Sequence, residues 1–122
     1  MSSEFDPHRP IYLQIVEEIK RRAARGQYPP GGQLPSVREL SQTMGVNPNT
    51  LSRAYMELER EGFITARRGQ GSFVTEEARR VDRERQRLAA SARDRFVAEI
   101  RSLGLDAGQV NELLTAIREA IR

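Results

Sequence analysis

Apolar residues recur at helical spacing along most of this chain, and the pattern breaks where glycine and proline stand. Tyr12, Ile15, Val16, Ile19 and Ala23 form the first stripe. Pro10 opens it at a first-turn position, where a missing N–H costs nothing, and Gly26 ends it. The following QYPPGGQLP reads as a loop with a brief extended piece at Gln33 and Leu34. Ser36 and Glu39 then make a capping-box pattern, in which the serine accepts from the N–H three residues on and the glutamate reaches back. The helix they start is short, because Gly45 sits where a left-handed closing residue is wanted. Asn47 and Pro48 restart a helix at once, as cap and first residue. Leu51, Ala54, Tyr55 and Leu58 make its apolar face, and Gly62 closes it.

Beyond Gly62 the period changes. FITAR and SFVT carry β-branched and aromatic residues, and the loop of Arg68, Gly69, Gln70 and Gly71 between them can supply the positive backbone angles of a hairpin, although the alternation is imperfect. From Glu76 the composition turns to Arg, Glu and Ala. Val81, Leu88, Ala92, Phe96, Ile100 and Leu103 mark a long helix that ends at Leu103 and Gly104. Asp106 caps a last one, lined by Val110, Leu113, Leu114, Ile117 and Ile121. The expected fold is mainly α with a small β-hairpin. It comprises a flexible lead over 1–9, a winged helix-turn-helix over 10–75, and a two-helix dimerisation region over 76–122. No internal repeat is present.

Composition adds bounds rather than an identity. The chain has 122 residues, 30% charged and 38% hydrophobic, which allows one modest core and an appendage. The formal charge is only +3, so net charge argues weakly for a polyanionic partner and position must carry the case. With no cysteine there is no disulfide framework or thiol chemistry. The N-terminal stretch lacks a basic segment followed by an apolar run, and no segment has the length to cross a bilayer; the expectation is a soluble, cytoplasmic protein without membrane contact.

Candidate chemistry gathers in three places. On the third helix the polar face carries Asn49, Arg53, Met56 and Arg60, with Glu57, Glu59 and Glu61 at the far end. Readers first and acids last suits a helix that enters the major groove by its N-terminus, since asparagine and arginine pair bidentately with adenine and guanine. Capping accounts for Asn47 and Pro48, with a phosphate contact from Asn47 open as an addition. Asn49 and Arg53 taken alone read as a solvated surface; with their neighbouring elements they read as contacts. The second site is the start of the preceding helix, where Arg38, and Ser36 beyond its capping role, suit a phosphate. The third is the hairpin tip, Arg67, Arg68, Gly69, Gln70 and Gly71, where the glycines permit close backbone approach and the arginines supply charge; taken alone it reads equally as an exposed turn with incidental arginines. The arginines at 79, 80, 83, 85 and 87 interleave with Asp82 and Glu84, and read as a solvated helical face that grazes the backbone at most.

Catalysis has little to work with. His8 lies alone in a proline-flanked lead, and no nucleophile motif, metal-ligand cluster or phosphate-binding glycine loop leading into a helix is present, so no catalytic residue, metal or cofactor is expected.

Taken in order, PIYLQIVEEIKRR, LPSVREL, GVNPNT, LEREGFI and RRGQGSFV resemble the GntR family of bacterial transcription regulators over about Pro10 to Val74. The resemblance implies sequence-specific operator binding by a homodimer, most often as a repressor. Arg38, Asn47, Asn49, Thr50, Arg53, Arg68, Gly69 and Gln70 stand at positions matching DNA-contacting ones in the family. Pro48 and Gln70 replace basic residues common there, so the operator need not match that of relatives. The short tail resembles the small YtrA-type subfamily, in which two helices serve dimerisation. It implies dimer contacts through Leu88, Ala92, Phe96, Ile100, Leu103, Val110, Leu113, Leu114, Ile117 and Ile121. Two amphipathic helices cannot bury both stripes alone, which independently favours a second copy. No effector can be named. The rival reading is a winged-helix module that binds protein instead of DNA through its Arg/Glu helix.

Overall fold

The computed structural model describes residues 5–122, so part of the expected flexible lead, residues 1–4, lies outside the described residues. The elements follow one another as α1 (Ile11–Ala24), α2 (Val37–Met44), α3 (Pro48–Arg60), β1 (Ile64–Arg67), β2 (Gly71–Val74), α4 (Ala78–Leu103) and α5 (Ala107–Ile121). They form two compact units, the first ending at Arg87 and the second spanning Leu88–Arg122.

The first unit is a winged helix-turn-helix around one core. Ile15 and Ile19 of α1, Leu51, Ala54 and Leu58 of α3, and Phe63 are at most 1% exposed, and Leu40, Met44, Ile64, Val74 and Val81 close the cluster. Phe63 stands just ahead of β1 and plugs this core, while its carbonyl accepts from the Thr75 N–H at 2.9 Å at the hairpin base. The hairpin pairs Ile64 with Val74, Thr65 with Phe73, Ala66 with Ser72 and Arg67 with Gly71. Only its base reaches the core, since Ile64 and Val74 are buried and Ala66 to Gly71 are exposed. That explains the imperfect alternation: strands that leave the core need no apolar face.

Local signals set the helix limits. The Ser36 Oγ accepts from the Glu39 N–H at 3.1 Å and the Glu39 carboxylate accepts from the Ser36 N–H at 3.1 Å, a complete capping box. Gly45 closes α2 at φ 68°, a left-handed angle that costs glycine little. Asn47 accepts from the Asn49 N–H at 2.8 Å, with Pro48 at the first position of α3. Between α1 and α2, Leu34 donates to Ser72 O at 2.8 Å and Val74 donates to Gly32 O at 2.9 Å, and Gln33 bridges Phe73. The extended piece at Gln33 and Leu34 is thus a third edge on β2.

Two stretches differ from expectation. Phe5 to Arg9 fall within the expected flexible lead, yet the Gln14 side chain accepts from Asp6 N–H at 2.7 Å and donates to Asp6 O at 2.6 Å and Arg9 O at 3.1 Å, while Phe5 packs against the core. The expected tail starts at residue 76, but the first compact unit runs on to Arg87. Val81 is buried there. The Lys20 ammonium meets Glu61 at 2.6 Å and Glu84 at 3.1 Å, Arg85 donates to Ala24 O at 2.9 Å, and Arg87 meets Glu17 and Glu84 at 2.8 Å each. Arg80 donates to Glu61 O. Of the arginines read as a solvated face, 80, 85 and 87 therefore bind α4 to α1 and the end of α3. Arg79 and Arg83 are exposed and have no side-chain partner among the described residues.

The second unit consists of the C-terminal part of α4, and α5. Asp106 caps α5 with a capping box, accepting from Gln109 N–H at 2.9 Å while the Gln109 side chain accepts from Asp106 N–H at 3.0 Å. No residue from Leu88 to Arg122 is buried. Leu88, Phe96, Ile100, Val110, Leu113 and Ile117 are half-buried; Ala92, Leu103, Leu114 and Ile121 are exposed.

Candidate nucleic-acid interface

Three exposed elements of the first unit carry the residues picked out from sequence. At the start of α2 the cap consumes Ser36 and Glu39, and the bonds from Ser36 hold the Glu39 carboxyl below its usual range. Arg38, one residue inside, is exposed and has no side-chain partner among the described residues. An unpaired guanidinium in the first turn adds to the positive end of the helix dipole, which favours an anion.

At the start of α3, Asn47, Pro48 and Asn49 are exposed and Thr50 is half-buried. The Asn47 oxygen is occupied by its cap bond, whereas the Asn49 side chain bonds nothing among the described residues. Arg53 is exposed too, and its guanidinium lies 4.0 Å from the centre of the Tyr12 ring on α1. The stack limits the rotamers of a long side chain without consuming its N–H donors. From sequence Tyr12 reads only as part of an apolar stripe. The far end of α3 is neutralised internally: Arg60 meets Glu57 at 2.6 Å, which draws the Glu57 carboxyl down to about 2. Met56, between these ends, is 68% exposed.

At the wing, Gln70 N–H donates to Arg67 O at 2.9 Å to close the turn, and Gly69 takes φ 76°. The two wing arginines differ. Arg67 folds back, 4.2 Å from the Phe73 ring centre and 3.6 Å from Glu76. Arg68 is exposed and has no partner among the described residues. A groove of about 610 Å³ runs between the wing and the start of α2, lined by Gln33, Ser36, Glu39, Tyr55, Gln70 and Gly71 among others. The Tyr55 hydroxyl donates to Pro35 O at 2.6 Å at the groove, and burial pushes its ionisation well above the usual range. Gln33, absent from the sequence-based candidates, donates from its side-chain amide to Gln70 O at 2.7 Å. Its partner is 37 residues away, and no local pattern links the two.

His8 is exposed, and its backbone N–H donates to Asp6 at 2.9 Å. Among the described residues no group of three or more His, Cys, Asp or Glu could hold a metal ion, and no helix is long and apolar enough to cross a membrane.

Comparison with known proteins bears on the same elements. Residues 11–74 match the family described as bacterial regulatory proteins, gntR family. The chain is 40% identical over 119 residues to the uncharacterized HTH-type transcriptional regulator YhcF of Bacillus subtilis, covering 98% of both chains. It is 47% identical over 78 residues to the HTH-type transcriptional repressor YtrA of the same organism, covering 62% of this chain and 60% of that one. Among solved structures, the DNA-binding domain of AraR in complex with operator ORX1 superposes with a TM-score of 0.54 at 31% identity, over 58% of this chain and 90% of that one.

Proposed function

The chain belongs to the GntR family of bacterial regulatory proteins and is a DNA-binding transcriptional regulator; from that premise we propose that it is a cytoplasmic, homodimeric repressor that reads a palindromic operator. In this reading α3 enters the major groove by its N-terminus and the wing lies beside it, once per half-site. Asn49 and Arg53 address base edges, with Thr50 beside them. Arg38, together with Ser36 and Asn47 at the two helix starts, faces phosphates. Arg68, Gly69 and Gln70 reach the backbone or the minor-groove floor, and Arg67 stiffens the wing that carries them.

The observation that carries the reading is the distribution of paired and unpaired charge. Of the five arginines on α2, α3 and the wing, Arg60 and Arg67 have a carboxylate partner, whereas Arg38, Arg53 and Arg68 have none among the described residues. Charge left unbalanced at a helix start, a reading face and a wing tip is what a phosphate backbone rewards. Arg79 and Arg83, just past the wing, extend the same supply.

The dimer rests on the second unit. Two amphipathic helical segments with no buried residue from Leu88 onward gain most by laying Phe96, Ile100, Val110, Leu113 and Ile117 against a second copy, with Leu88, Ala92, Leu103, Leu114 and Ile121 extending the face. Repression by occupying a promoter agrees with the name of the repressor YtrA.

The test compares a duplex selected by the protein from a random pool with an unselected duplex of equal length, across a salt series. Arg53→Ala should cost about 1–3 kcal/mol on the selected duplex and much less on the other. Arg68→Ala should weaken both and flatten the salt dependence. Equal losses on both duplexes for both variants would overturn the division between reader and backbone contact.

A further inference from the structure

The hairpin closes its own turn through Arg67 and Gln70, but its tip is also held from outside. The segment 31–34 runs along β2, with Gly31 donating to Val74 O at 3.0 Å, Val74 donating to Gly32 O at 2.9 Å and Leu34 donating to Ser72 O at 2.8 Å. From this edge the Gln33 amide crosses to Gln70 O at 2.7 Å. Gly71 makes the crossing possible: a Cβ there would stand 2.8 Å from the Gln33 Nε2, and its φ of 110° disfavours any other residue. The same segment reaches Ser36, the cap of α2, within three residues of Gln33.

We propose that Gln33 is a positioning residue for DNA recognition, its amide strutting the wing tip from the segment that caps α2, so that Arg68 and Arg38 meet the backbone at a set separation. The role rests on the reading of the wing as a DNA contact. A three-residue tether cannot stretch far, so the strut ties two phosphate-facing elements that no strand hydrogen bond joins at the tip. Its value lies in what it withholds. Without it the tip keeps its turn but samples more positions, and Arg68 pays for ordering on binding instead of beforehand.

Gln33→Met keeps length and shape and removes the donor. It should melt with the wild type and, in the free protein, raise picosecond-to-nanosecond mobility at the Gly69 and Gln70 amides in ¹⁵N relaxation. On a duplex selected by the wild type it should bind about three- to tenfold more weakly. In hydroxyl-radical footprints it should lose protection only where Arg68→Ala does. Because Gln33 acts through the tip, Gln33→Met combined with Arg68→Ala should lose clearly less than the sum of the two single losses. Unchanged affinity and mobility in Gln33→Met, or losses that simply add in the double variant, would overturn the role while leaving the proposed function standing. A wild type that enriches no duplex would overturn both.

Discussion

The two compact units have similar helical signals and opposite interiors. In the first, residues from α1, α3, the loop after α3 and the hairpin base converge until Ile15, Ile19, Leu51, Leu58 and Phe63 are at most 1% exposed. In the second, α5 is capped as completely as α2, yet nothing from Leu88 onward is buried. Its ion pairs differ as well. Lys20 and Arg87 join elements far apart in sequence, whereas beyond Leu88 the pairs are Arg93 with Asp94 and Arg122 with Glu119, close neighbours on the chain. Capping and periodicity are enough to define a helix; burial of an apolar stripe requires something opposite it.

The largest test of that contrast is a core truncation in each unit. Phe63→Ala should cost the first unit about 3–5 kcal/mol in chemical denaturation, because a fully enclosed ring leaves a cavity. Phe96→Ala, in the second unit, should leave that unfolding transition in place and instead weaken self-association in sedimentation. A Phe96→Ala protein whose first unit melts early, with its association unchanged, would break the comparison.

A pair of truncations locates the boundary. A chain ending at Arg87 should melt near the full-length first transition, be monomeric, and bind the selected duplex much more weakly, since one half-site supplies only part of the contact. Ending at Arg79 instead removes Val81 and the Glu84, Arg85 and Arg87 contacts, and should cost about 1–3 kcal/mol more. Equal stability of the two would return the boundary to residue 76. A chain ending at Arg87 that still sediments as a dimer would end the assignment of dimerisation to the tail.

Lys20→Met probes how the start of α4 is held within the first unit. Its side chain is 8% exposed and separates Glu61 from Glu84, so removing the ammonium leaves two carboxylates facing each other at a loss of about 1–3 kcal/mol. Because the group is largely shielded, added salt should only partly recover the loss. Full recovery in salt would mean that the pair behaves as a surface contact.

The smallest expected effect is on acid stability. Burial would raise the Glu84 carboxyl, but bonds from Arg87 and Lys20 outweigh it and leave it lowered; Glu57 sits at about 2 through its bond from Arg60. Carboxyls depressed in the folded state contribute stability above their unfolded value near 4.5, and that contribution is lost as the pH falls toward 2. Melting temperature should therefore decline through this window, and Glu84→Gln should make the decline shallower. A slope unchanged by Glu84→Gln would remove this carboxyl from the account.

Much of the candidate interface was legible because its cues are local. Ser36 with Glu39, Asn47 with Pro48, and the glycines at 45, 62 and 69 act within a few residues of their effect. Arg67 and Arg68 looked equivalent in sequence and are not, since only the fold sets Phe73 and Glu76 beside Arg67. Tyr12 under Arg53 and Gln33 beneath Gln70 were illegible for the same reason: each acts across a gap of tens of residues that no period spans.

By itself, then, this sequence determined where helices start and stop, where the hairpin turns, and which apolar stripes need covering, because caps, glycine angles and side-chain periodicity operate over single turns. Only the tertiary structure decided that Phe63 is core, that α4 belongs to the first unit as far as Arg87, and which arginines are already balanced. Those outcomes depend on which distant carboxylates, rings and carbonyls the packed core brings within a few ångströms.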